Sequence, residues 1–349
     1  MALTVMTLAA CDRGPERVVL RGATMGTTWS VIYRAGPAVK PERLQEEIET
    51  ELQDINAALS TYIPDSEISR LNAAPGDYEG QLGEHFAVVL DAALETGRIT
   101  GGAYDVTVGP LVELWGFGAD EFSGAVPPPE AIAEARGAVG AERLTWDPTS
   151  RTLRRPAGMR VDLSSIAKGY AVDRLTELLA GYGVGDSLVE IGGELRASGE
   201  RPEGGAWRLA VESPDPAERR FVEALSLNNA AVATSGDYRN YFEVDGRRYS
   251  HLVDPRTGYP VSHELVSVTV IDASCMTADA LATALIVMGL DDGLALARSR
   301  GIAAHFVTRG SDGLAVHYTD EFDVYRQATE GVREPEQGDT QAAPAAPRE

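Results

Sequence analysis

Arg160-Val161-Asp162-Leu163-Ser164-Ser165-Ile166-Ala167-Lys168-Gly169-Tyr170-Ala171 is the stretch from which the fold is read. Val161 and Leu163 flank a carboxylate, as at the end of a strand. From Lys168 to Ala180 apolar side chains recur at Ala171, Val172, Leu175, Leu178 and Leu179. That spacing predicts an amphipathic helix, with Ser164 or Ser165 placed to cap it. Upstream, Val18 to Leu20 and Trp29 to Tyr33 read as strands, and Pro41 to Leu59 has helical spacing at Leu44, Ile48, Leu52, Ile55 and Leu59. Further helices are predicted over Glu84 to Gly97 and, after Pro127-Pro128-Pro129, over Glu130 to Val139. Downstream, Ser187 to Val270 reads mostly as short alternating strands, and Ala278 to Arg298 as a helix interrupted at Gly289. His305 to Val307 and Leu314 to Tyr318 complete a closing hairpin. Helices and strands interleave without a regular βαβ alternation, which predicts a mixed α+β fold and not a doubly wound one.

The 349 residues carry 31 Lys and Arg against 53 Asp and Glu, a formal charge of −22. Such a chain lacks the basic face that replaces counterions on a phosphate backbone, so no nucleic-acid partner is expected. Hydrophobic residues at 44% and charged residues at 24% suffice for a core and a soluble surface. Residues 327–349 are predicted to be a disordered tail: from Gly331 onward there are three prolines, no aromatic residue and a single branched aliphatic, Val332.

Two cysteines, Cys11 and Cys275, cannot make a disulfide scaffold. Residues 1–10 are uncharged and too few to span a bilayer, which takes about 20 apolar residues. Leu8-Ala9-Ala10-Cys11 resembles a bacterial lipobox, whose cysteine is lipidated and becomes the new N-terminus. The alternative is a frayed apolar end with a chance cysteine. On the lipobox reading 1–10 are a signal remnant, Cys11 is the lipidation site and 11–17 are a tether. Acyl chains contribute about 0.8 kcal/mol per buried CH₂, enough to hold an acidic globule at a membrane.

Several chemistries lack their signatures. There is no Gly-x-x-x-x-Gly-Lys-Ser/Thr loop, and Gly181-x-Gly183-x-Gly185 follows a helix, where it reads as a helix stop. No Gly-x-Ser-x-Gly elbow exists, and the five histidines, at 85, 251, 263, 305 and 317, show no zinc-ligand spacing. Three polar clusters remain. In the opening stretch a carboxylate, Asp162, precedes a helix start whose free N–H groups suit an anion, although the serines serve equally as caps. In Ala278-Asp279-Ala280-Leu281-Ala282-Thr283 the two oxygen-bearing side chains stand at i and i+4, about 5–6 Å apart on one helix face. That suits one hard cation, and a solvated polar stripe equally. The third cluster runs from Ala233 to Tyr241 and resumes from His251 to Pro260, a pocket wall or an exposed hairpin.

Together these residues resemble the FAD:protein FMN transferases, the ApbE family. The resemblance also takes in Thr24-Met25-Gly26-Thr27, Leu59-Ser60-Thr61-Tyr62 through Asn72, and Gly102-Ala103-Tyr104-Asp105 through Gly118. It covers about residues 18 to 326 in order. It implies a single globular unit over 18–326, built on a T-fold-related, largely antiparallel sheet flanked by helices. It also implies a Mg²⁺-dependent enzyme that takes FAD, releases AMP and attaches FMN through its phosphate to a Thr or Ser hydroxyl of a target protein. Met25, Tyr62, Ala103, Tyr104, Asp105, Asp162, Lys168 and Val253 are then expected to contact FAD, and Ser165, Asp279 and Thr283 to approach Mg²⁺ with Ala282 near them. Ala282 and Lys168 depart from members that carry an acid at those positions, and a water can fill a vacant metal position. His251 is the candidate base, with Asp162 and Asp279 as alternatives. The implied acceptors are membrane-associated redox proteins on the outer, periplasmic side of a bacterial inner membrane. An FAD pyrophosphatase yielding free FMN, or a flavin-binding lipoprotein without turnover, would use the same pocket.

Overall fold

The computed structural model describes residues 17–35, 40–118, 125–214, 221–237, 240–311 and 313–327. Cys11, the signal remnant and the predicted tail beyond Gln327 lie outside the described residues. The chain opens with β1 (Arg17–Thr24), β2 (Thr27–Arg34), α1 (Pro41–Leu59), α2 (Glu67–Ala73), β3 (Tyr78–Gln81), α3 (Glu84–Ile99), α4 (Gly109–Leu114) and α5 (Pro129–Gly137). It continues through β4 (Thr145–Asp147), β5 (Thr152–Arg155), α6 (Ser164–Gly181), β6 (Ser187–Ile191), β7 (Glu194–Ser198), β8 (Trp207–Glu212), β9 (Phe221–Leu227) and β10 (Ala230–Gly236). The last third holds β11 (Tyr241–Val244), β12 (Arg247–Ser250), β13 (Val253–Asp254), β14 (Tyr259–Pro260), β15 (Leu265–Asp272), α7 (Cys275–Met288), α8 (Leu290–Arg300), β16 (Ala303–Gly310), β17 (Gly313–Tyr318) and α9 (Asp320–Asp323).

Eight strands form one sheet in the order β1-β2-β6-β7-β10-β15-β16-β17, and every neighbouring pair is antiparallel. The α+β expectation with a largely antiparallel sheet and flanking helices therefore holds. Strand β15 (LVSVTVID) is buried along all but its last residue: Leu265, Val268 and Val270 pack with α7, and Ile271 joins a cluster with Trp207, Leu225 and Phe322. Helix α7 is largely apolar, buries residues on nearly every side and packs against α6, α3, α8, β10 and β15, as a helix with so wide a hydrophobic surface must. Its approach to α6 depends on Gly169: a Cβ there would sit 2.3 Å from the Cys275 carbonyl oxygen and 2.8 Å from the Asp279 Cβ.

The long helices lie where their apolar period places them, and α7 ends at Gly289, whose φ of 82° closes the helix before α8 begins. Two local readings are corrected. Val161 to Leu163 is not the end of a ladder strand: Arg160 makes an isolated bridge to Val108, and the Asp162 N–H donates to the Val106 carbonyl at 2.7 Å. Nor does a serine cap α6. Leu163 occupies the N-cap position, and the Asp162 Oδ1 accepts the Ser164 N–H at 2.8 Å, so the carboxylate two residues upstream does the capping. Helices α2 and α4 and the small sheet β3-β5-β4 are additions, each too short to show a period. β1 takes in Arg17, and Gln327 is tied to the Ala224 carbonyl.

Candidate active site

Two tight hairpins bring the first site residues to one end of the sheet. Met25 and Gly26 turn β1 into β2 with φ of 49° and 69°, and Gly192 and Gly193 turn β6 into β7 with φ of 61° and 104°. Two-residue turns that follow the strand twist need positive φ at both positions. The pairing of Trp29 with Ile191 places the two tips side by side, and the Gly192 N–H donates to the Thr28 carbonyl at 3.1 Å. A Cβ on Gly192 would meet Thr27 Cγ2 at 2.8 Å and Lys168 Cδ at 3.4 Å, so the turn is thin where the lysine stem crosses it. Met25 holds a left-handed conformation that costs an L-residue about 1 kcal/mol, and its side chain packs half-buried on the main core.

The centre of the site is the α6–α7 seam. Asp279 Oδ2 accepts the Gly169 N–H at 3.0 Å, and its Oδ1 lies 3.8 Å from Lys168 Nζ. Lys168 Nζ is 3.2 Å from Oε1 of Glu194, the first residue after the glycine turn. Both carboxylates are almost wholly buried. Burial would push the Lys168 ammonium down, but the facing charges of Asp279 and Glu194 more than reverse this and hold it protonated. Burial lifts both Asp279 and Glu194 above the ordinary carboxylate range, Glu194 up to about 8 with the Asp279 charge adding to the rise, and the same lysine only partly offsets this. One ammonium thus stands between two carboxylates, and Asp279 retains unused acceptor capacity.

Hydroxyls lie one helical turn from each side of this seam. Ser165, one turn before Gly169, donates to the Tyr104 hydroxyl at 3.0 Å, and Thr283, one turn after Asp279, shares a hydrogen bond of 3.0 Å with Ser235 of β10. Tyr104 is buried, and burial together with the nearby Asp279 and Asp162 charges raises its phenol although the Ser165 contact works the other way. Burial, then Asp162, also raises Tyr62, whose side chain is largely exposed. Ala103 is buried beside Tyr104. The Asp105 carboxylate is spent internally, on Thr107 N–H and hydroxyl and on the Ala141 N–H. The anion site expected at the start of α6 is largely used up: Asp162 takes the Ser164 N–H, and the Leu163 carbonyl takes those of Ile166 and Ala167. Positive charge for an anion comes from Lys168 instead.

His251 follows β12 and its Nδ1 lies 2.9 Å from the Asn240 carbonyl, which can only accept. The proton of a neutral ring therefore sits on Nδ1 and the lone pair on Nε2. Burial lowers the imidazole below its ordinary value, the Asn240 contact opposes this, and the Lys168 charge adds to the lowering, so the ring is neutral at pH 7. Phe117 meets it edge-on at 6.2 Å between ring centres. Val253 is buried in a cluster with Leu111, Trp115 and Ile132. Val287, one turn beyond Thr283 on α7, lines an open cavity of about 500 Å³ with Tyr249, Tyr259 and His263, and none of the seam residues lines it.

The donor set fits a hard cation of a particular kind. Among the described residues no group of three or more His, Cys, Asp or Glu could cage a metal. Asp279, Thr283 and Ser165 supply one carboxylate and two hydroxyls, which suits Mg²⁺, an ion that keeps waters and takes phosphate oxygens as further ligands. Ala282 is buried among Leu281, Leu285 and their neighbours and brings no side-chain donor. Glu194 was not singled out in the sequence. Its only signal there is its place after the Gly192-Gly193 turn.

A family model described as the ApbE family matches residues 25–306. The chain is 42% identical over 320 residues to the FAD:protein FMN transferase of Vibrio cholerae, covering 91% of this chain and 96% of the relative. It is 42% identical over 324 residues to that of Haemophilus influenzae, covering 91% and 94%. The solved flavin transferase ApbE from Vibrio cholerae superposes with a TM-score of 0.83 at 41% identity, over 89% of this chain and 99% of that one. The apo flavinyl transferase ApbE of Pseudomonas stutzeri gives 0.83 and 41%, over 89% and 97%.

Proposed function

This chain belongs to the ApbE family, and from that premise we propose that it is an FAD:protein FMN transferase, moving FMN from FAD to a hydroxyl of a target protein. In detail, the acceptor is a Thr or Ser oxygen that attacks the phosphorus of the FMN half of FAD. The new P–O bond forms as the bridging P–O bond breaks, AMP leaves, and the hydroxyl proton passes to His251 Nε2. The base needs its lone pair on that nitrogen, which is what the Asn240 contact provides. Lys168 faces the diphosphate, and Met25, Tyr62, Ala103, Tyr104, Asp105, Asp162 and Val253 line the flavin nucleotide. Asp279, Thr283 and Ser165 would hold Mg²⁺, with Ala282 beside them. When bound, that ion neutralises charge on the diphosphate as the leaving bond loosens.

The observation that carries this reading is the Gly169–Asp279 seam, which sets an under-satisfied carboxylate, a lysine and the hydroxyls of Ser165 and Thr283 at one end of the sheet. Co-expression with a membrane redox protein carrying a Thr or Ser acceptor, followed by mass spectrometry, tests it: an acceptor gaining one FMN supports transfer. Free FMN and AMP with an unmodified acceptor would indicate hydrolysis, and intact FAD in the presence of Mg²⁺ a binding protein. We further propose that Cys11 is lipidated and holds the enzyme on the periplasmic face of the inner membrane. The sequence Leu8-Ala9-Ala10-Cys11 supports this, and no helix among the described residues is long and apolar enough to cross a membrane. Loss of the protein from the membrane fraction in Cys11→Ala is the expected result.

A further inference from the structure

Glu194 is a buried carboxyl group to which the reaction above gives no task. Its Oε1 meets Lys168 Nζ at 3.2 Å, while its Oε2 is buried and makes no hydrogen bond among the described residues. A carboxyl group that buries one oxygen unpaired forfeits the solvation of that oxygen, so an unused polar atom here calls for an explanation. On the other side of the ammonium Asp279 Oδ1 stands at 3.8 Å, too far for a hydrogen bond yet close enough for strong attraction away from bulk water. Lys168 thus occupies the cationic position beside Asp279. A divalent ion on Asp279 would put two cations a few ångströms apart in a poorly screened cleft, so the ammonium must withdraw. Its four-carbon stem runs past Gly192, where no Cβ blocks it, and the unfilled acceptor within reach is Glu194 Oε2.

We propose that Glu194 is a positioning residue that receives Lys168 on both of its oxygens when Mg²⁺ takes Asp279, so that lysine and metal exchange at one carboxylate. The inference rests on the reading that Asp279 is a Mg²⁺ ligand. It is tested by a double-mutant cycle read as Mn²⁺ affinity, by electron paramagnetic resonance of the full chain without FAD, in wild type, Glu194→Gln, Lys168→Met and the double variant. Glu194→Gln should weaken Mn²⁺ binding about tenfold while Lys168 is present, because the lysine then stays on Asp279. In the Lys168→Met background the same change should alter affinity less than about twofold, the non-additivity expected of residues that act through one another. Equal losses in both backgrounds would overturn the exchange, since simple attraction between Glu194 and the metal is additive. Lys168→Arg, which can grip both Glu194 oxygens, should stay within about threefold of wild type, and a loss beyond tenfold would also overturn it. If wild type binds no Mn²⁺, the metal reading itself fails and the exchange with it, an outcome distinct from an additive cycle.

Discussion

Two aspartates join the same pair of helices in opposite ways. Asp173 on α6 accepts from the Ser274 hydroxyl at 2.8 Å, from the Cys275 and Met276 N–H groups at 3.0 Å each, and from Arg196 at 2.5 Å. It saturates the first turn of α7, whose Thr277 N–H is taken by Ser274. Asp279, about one turn further along α7, reaches back to a single N–H of α6 and stands loosely beside one lysine. The first carboxylate has no capacity left and anchors the fold. The second is held in place by the fold and left short of partners, which is the condition for taking a ligand.

That contrast is broken most forcefully at the site. His251→Ala should lower flavin transfer by about 10²–10⁴-fold, the usual contribution of a positioned base, while leaving FAD binding intact in an equilibrium titration. Because the imidazole lies below its ordinary value, its active neutral form persists under pH 6.5, and the acid limb of the transfer profile should fall below that point. Next come the aspartates themselves. Asp173→Ala should cost about 3–5 kcal/mol in urea unfolding, since it strands Arg196 and the α7 N–H groups. Asp279→Asn should abolish most transfer yet leave stability within about 1 kcal/mol or raise it, because burial already disfavours its charge. A stability loss at Asp279 equal to that at Asp173 would erase the distinction.

A third buried group gives the scale for charge burial outside the site. His305 is fully buried, packs on Phe322 at 5.1 Å, and both ring nitrogens lack partners among the described residues. Burial, aided by the Arg326 charge, pushes it down to about 4. The folded state therefore favours the neutral ring. Stability should be full above about pH 6.5, the unfolded value, and fall by up to about 3 kcal/mol as pH drops towards 4. Thermal melts of His305→Gln across that range should show a shallower slope. A steric effect is expected at the seam. Gly169→Ala forces a Cβ against Cys275 and Asp279 and should cost about 1–3 kcal/mol while lowering transfer, because the aspartate moves with its helix.

Much of the fold was legible because long elements write their period into the chain. Leu44, Ile48, Leu52, Ile55 and Leu59 mark α1, and Gly289 marks the break between α7 and α8. Short elements such as α2, α4 and β3 span too few residues to carry a period. The capping of α6 was misread because a serine at a helix start and an aspartate two residues before it offer the same kind of acceptor, and the backbone path chose between them. At the site, the i, i+4 spacing of Asp279 and Thr283 was visible, and so were the residues quoted for the family resemblance. Glu194 was not, because an isolated acid after two glycines looks the same whether it faces water or a buried lysine.

The amino-acid order alone settled which long segments are helical, that strands and helices mix, and which residue types are available for chemistry, since each follows from neighbours a few positions apart. Only the packed molecule decided that Asp173 is saturated and Asp279 is not, that Asn240 sets the His251 tautomer, and that Lys168 lies between two carboxylates. Those facts depend on burial and on contacts between remote segments, and a group's charge and hydrogen-bonding state is fixed by what surrounds it in space.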